Sequence, residues 1–76
     1  MWRYKSPVGD IHIKKMQNGN YGTIHDGIVW EECDTPQAAA DNVFSRATGC
    51  EAWDLYEFPS NVADNTPNDL SEWEKY

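Results

Sequence analysis

The sequence predicts an α+β fold: a meander of three to four short antiparallel strands, one helix packed on one face, and an irregular aromatic-acidic C-terminal segment. Three observations predict it. Apolar and polar residues alternate through the first third of the chain. Two turn dipeptides, Asn18-Gly19 and Asp26-Gly27, separate the alternating runs. Thr35-Pro36 then opens a stretch whose apolar residues recur at helical spacing.

Each element follows in order. Trp2 to Lys5 alternates large and charged residues and suits a short edge strand. Ser6-Pro7-Val8-Gly9 is a turn, punctuated by Pro and Gly. Asp10 to Lys15 alternates cleanly, with Ile11 and Ile13 on one face and His12 and Lys14 on the other. Tyr21 to His25 is the returning strand, with Ile24 as its inward candidate. Ile28 to Glu32 is β-branched and aromatic, as strands prefer.

The helix is expected over about Pro36 to Thr48. Thr35 is its cap, Pro36 sits at the first helical position, and Gly49 is the left-handed stop. Pro36, Ala40, Val43, Phe44 and Ala47 form its apolar face. The expected core is Ile11, Ile13, Ile24, Val29, Ala40, Val43, Phe44 and Ala47, with Trp30 at least partly buried. In the tail (50–76), Trp53, Leu55, Tyr56 and Phe58 suit a short strand or an aromatic flap. Residues 59–67 read as loop, and 68–73 as a turn of helix capped by Asn68 or Asp69.

With 76 residues the chain has room for one core and is read as a single domain, 1–76. Ten aromatic residues supply side chains large enough to fill it, which argues against disorder. No apolar run approaches the roughly 20 residues of a membrane span, and Met1 to Lys5 lacks the apolar centre of a signal peptide. The chain therefore reads as a cytoplasmic bacterial protein with no membrane association. Cys33 and Cys50 form no C-x-x-C pair and read as reduced thiols packed as small hydrophobes.

The formal net charge is −7, unevenly spread. Residues 1–25 carry Arg3, Lys5, Lys14 and Lys15 against Asp10 alone, whereas residues 50–76 carry seven carboxylates against Lys75. So acidic a chain is repelled as a whole by nucleic acid and anionic lipid.

Several segments occur together in a recognisable order: Ser6-Pro7-Val8-Gly9, Tyr21-Gly22, Thr35-Pro36-Gln37-Ala38-Ala39-Ala40-Asp41-Asn42-Val43, Thr48-Gly49, Trp53-Asp54, and Pro67 to Trp73. In this the chain resembles a group of short, uncharacterised bacterial proteins over nearly its whole length. That group has no assigned activity, cofactor or site, so the resemblance implies no functional residue. Its members tend to have a Gly-Ser-aromatic run where this chain has Glu31-Glu32-Cys33, and Trp where it has Cys50.

Few constellations point to chemistry. His12, His25, Cys33 and Cys50 lack the closely spaced pairs of a structural zinc site, so no metal and no cofactor is expected. A nucleophilic cysteine needs nearby positive charge, yet Glu31, Glu32 and Asp34 surround Cys33. So short a chain leaves little volume for a substrate pocket, and the glycines form no phosphate loop. No catalytic residue is assigned. The expectation is a non-enzymatic, monomeric protein-interaction module whose anchors are Trp53, Asp54, Tyr56 and Trp73, aromatic side chains ringed by charge. The alternatives are nucleic-acid binding through a basic sheet face of Arg3, Lys5, Lys14 and Lys15, and an acidic surface that mimics nucleic acid.

Overall fold

The alternating runs become strands, and the two dipeptides become the hairpin turns between them. In the computed structural model, which describes Met1–Tyr76, β1 (Trp2–Ser6), β2 (Gly9–Lys15), β3 (Tyr21–His25) and β4 (Ile28–Cys33) form an antiparallel meander. Asp26 and Gly27 both have positive φ, the condition for a two-residue turn whose twist matches the strands it joins. A fifth strand, β5 (Glu74–Lys75), adds to the free side of β1, so the sheet order is β4-β3-β2-β1-β5. The sheet thus has one strand more than the three to four expected. Two residues carry no period, and β5 exists only because the tail returns to Trp2 and Arg3.

The helix α1 (Pro36–Phe44) starts as expected, with the Thr35 hydroxyl accepting from the Ala38 N–H. It ends four residues earlier than expected. The Ser45 hydroxyl bonds to the Asp41 and Asn42 carbonyls, and Arg46, not Gly49, is the first residue past the helix to take a left-handed conformation. The buried face of α1 is Ala39, Ala40 and Val43.

Facing residues on paired strands share one side of a sheet. Ile11 and Ile13 are buried beneath α1, and they face Tyr4, Trp2, His25 and Thr23, so these line the covered side. Ile24 faces His12, which puts it on the open side, and Val29 faces Ile24. This corrects the expected core: Ile24 is only half-buried, and Val29 is exposed. A β-bulge between Thr23 and Ile24 shifts the β3–β4 register, so alternation along β4 does not continue as the sequence implies. Phe44 is 47% exposed and Ala47 lies at the surface, because α1 has ended before the second could face the sheet. Trp30, expected to be at least partly buried, is instead exposed at 39%, with its indole N–H on the His25 carbonyl.

The places in the core vacated by Phe44 and Val29 are filled by the tail. Neither a strand nor a flap forms there: α2 (Glu51–Asp54) makes one helical turn, and Trp53 on it is wholly buried. Its indole N–H donates to the Val43 carbonyl at 2.9 Å. Tyr4 lies between Trp53 and Trp73, edge-on to the first and tilted to the second, with centroids 5.7 and 5.8 Å away. Arg46 fastens the intervening loop, stacking 4.0 Å over the Trp53 ring and pairing with Asp64 at 2.8 Å. A 3₁₀ turn (Leu70–Glu72) follows, closed by a capping box between Asp69 and Glu72, so Asp69 and not Asn68 is the cap.

Candidate functional site

Trp53 and Trp73 are core residues and offer no surface to a partner while the domain is folded. Asp54 is turned inward: its carboxylate accepts from the Thr48 N–H and hydroxyl and from the Gly49 N–H, closing the loop that starts α2. Tyr56 is half-buried edge-on against Phe58. Trp53 and Trp73 therefore hold the tail to Tyr4 of the sheet, while Asp54 and Tyr56 brace the tail internally. Sequence alone cannot separate an indole that anchors a partner from one that anchors its own chain, since both bury the same ring.

The four cations are divided between the two sides of the sheet. Arg3, Lys5 and Lys14 stand on the open side, but Lys15 faces Tyr21 on the covered side. Arg3 is paired with Glu74, which raises its pKa and lowers that of Glu74, and Lys5 stands opposite Asp10. The open side therefore carries interleaved charge of both signs, not a basic field.

A cleft of about 510 Å³ lies at the end of the sheet, lined by Val8, Gly9, Asp10, His12, His25, Asp26 and Gly27. This is within the usual range of ligand pockets, so the expectation of too little volume does not hold. Its chemistry is modest. The Val8 carbonyl can only accept, so the proton of His25 sits on Nε2, 2.8 Å away. Nδ1 of His25 then faces the Cys50 thiol at 3.7 Å. Imidazole, thiol and orienting carbonyl form a nucleophile-like series, but Cys50 is buried and does not line the cleft. His12 is engaged by the Tyr76 hydroxyl. Nowhere do three His, Cys, Asp or Glu side chains gather as a metal-ligand set.

Cys33 is a poor nucleophile for a different reason. Burial, and then the neighbouring Glu31 carboxylate, push its pKa up to about 11. At pH 7.5 the thiolate is on the order of one molecule in 3,000, against about one in ten for an ordinary thiol. Iodoacetamide is expected to alkylate the folded chain at least 100-fold more slowly than free cysteine, and the urea-unfolded chain at both cysteines. A mass-spectrometric time course showing one thiol labelled at the free-cysteine rate would contradict this environment.

One surface remains that neither packs against the core nor pairs its charges. Ile28, Val29 and Trp30 are consecutive and 50%, 40% and 39% exposed. They lie on β4, the uncovered edge of the sheet. Ile28 faces His25, but Val29 lies on the open side, where it and Met16 meet over Gly22: an added Cβ would come within 2.9 Å of the Met16 sulfur and 3.2 Å of Val29 Cγ1. Ile24 extends the same patch. The signal was present in the sequence as three adjacent large apolar residues, but a core strand looks the same.

Comparison with protein-family models, with curated proteins and with solved structures found no match to this chain. No helix is long and apolar enough to cross a membrane.

Proposed function

We propose that this chain is a non-enzymatic module that acts by binding another protein through the β4 edge and the adjoining open face. The observation that carries the reading is the edge run Ile28-Val29-Trp30, three large exposed apolar residues, of which Val29 joins Ile24 on the open side while Ile28 stands opposite His25 on the other side of the strand. Exposed apolar patches of this kind mark interfaces, while the Glu31-Glu32 pair and the β-bulge on the same strand guard it against indiscriminate edge pairing. The divided cations weigh against nucleic acid as the ligand, because binding gains affinity from several phosphates contacted at once.

The test is affinity capture from the organism's own lysate, with and without nuclease. The expected result is a defined protein partner that survives nuclease and is lost from an Ile28→Asp chain with unchanged melting temperature. Nuclease-sensitive recovery of nucleic acid, dependent on Lys5 and Lys14, would overturn the reading.

A further inference from the structure

Taking the chain as a protein-binding module, we propose that its partner presents an extended cationic segment that adds a strand to β4. The edge is open at the backbone level. β4 pairs only with β3, and no backbone hydrogen bond outside the sheet and helices involves any residue from Ile28 to Cys33. An antiparallel edge strand turns alternate N–H and C=O groups outward, where a second chain can take them up. Gly49 lies close to the Trp30 carbonyl, which leaves Glu31 to Cys33 as the stretch for backbone pairing, with Ile28 and Val29 beyond it for side-chain contact.

Charge selects the occupant. From Asp26 to Ser45 the chain carries Asp26, Glu31, Glu32, Asp34 and Asp41 and no Lys or Arg. Glu31 accepts from the Asn42 amide and the Cys33 thiol, and Glu32 accepts from the Asn18 amide, partners that leave their negative charge in place. The two ion pairs of the protein, Arg3–Glu74 and Arg46–Asp64, lie elsewhere. A second copy of this chain would bring the same carboxylates against their own kind, which disfavours edge-to-edge pairing between copies. Glu32 and Val29 share the open side of β4, opposite Gly22 and Ile24, so a strand with Lys or Arg beside Glu32 and an apolar side chain beside Val29 satisfies both halves of the edge on one face.

The probe is a fluorescein-labelled octapeptide, Lys-Thr-Lys-Thr-Val-Thr-Val-Thr, with its reversed sequence, a form with Glu for Lys, and a form N-methylated at alternate residues. Anisotropy titration against the full chain is expected to give saturable binding for one orientation. The Glu form and the N-methylated form should each bind at least tenfold more weakly. The double variant Glu31→Gln, Glu32→Gln removes both charges while keeping one acceptor oxygen on each side chain and should weaken binding about fivefold. Amide NMR shifts should centre on Ile28 to Cys33. Undiminished binding of the N-methylated peptide, shifts centred elsewhere, no binding at 1 mM, or a β4-paired dimer in ultracentrifugation would each overturn the proposal. If affinity capture still recovers an Ile28-dependent protein partner in those cases, only the cationic strand is wrong. If capture also fails, the module reading falls with it.

Discussion

Replacing Trp53 with Ala is expected to leave little folded protein at 25 °C. The indole is wholly buried, touches Tyr4 edge-on, lies under the Arg46 guanidinium and donates to the Val43 carbonyl. Truncating a large buried aromatic costs about 3–5 kcal/mol, and the lost indole hydrogen bond and unstacked Arg46 add to it. Small domains have total stabilities of about 5 kcal/mol or less, so the loss is comparable to the whole. Phe44→Ala is the control. It removes an aromatic of similar size from a half-exposed site on the rim of α1 and should lower the melting temperature by only a few degrees. Near-UV circular dichroism and thermal melting of both variants decide the matter. A Trp53→Ala chain that melts like the parent, or a Phe44→Ala chain that unfolds, would reverse the assignment of the core.

The second large effect belongs to Arg46. Its guanidinium stacks on Trp53, a contact worth about 0.5–2 kcal/mol. It pairs with Asp64, whose side chain is half exposed, so that ion pair adds about 0.2–1 kcal/mol. It also reaches the Phe44 carbonyl and the Thr66 hydroxyl. Arg46→Ala is expected to cost about 2 kcal/mol and to lower the melting temperature by about 10 °C. Arg46 has φ +61°, so Arg46→Gly should be less damaging than Arg46→Ala by about 1 kcal/mol, since glycine takes this conformation without strain. Equal losses for Ala and Gly would show that the backbone at this position is not strained.

The same clamp predicts an acid limb. Hydrogen bonds from the Thr66 hydroxyl and N–H, and then the charge of Arg46, hold the Asp64 carboxyl below the usual aspartate value. A carboxyl depressed in the folded state stabilises above its unfolded value and loses that contribution as pH falls through the folded one. Stability should therefore decline below about pH 4, and less steeply in Asp64→Asn than in the parent. Urea unfolding at pH 6 and pH 3 measures the difference, and parallel curves for the two chains would remove Asp64 from the account.

The sequence by itself determined what depends on neighbours a few residues apart. Alternation of Ile11 and Ile13 with His12 and Lys14, positive φ at Asp26-Gly27, and the hydroxyl of Thr35 ahead of Pro36 are short-range constraints, and each predicted its element and its face. Only the tertiary structure decided which aromatic side chains fill the single core. Trp53 and Trp73 enter it, while Phe44 and Trp30 stay at its rim, because the volume between one sheet and a nine-residue helix closes only when the tail folds back. The face of Ile24 was fixed by its pairing with His12, and that of Val29 turned on a one-residue register shift in the β3–β4 pairing, which no local pattern encodes. The open edge of β4 was decided the same way: a strand becomes an edge only when nothing else in the fold returns to pair with it, and the tail returned to β1 instead.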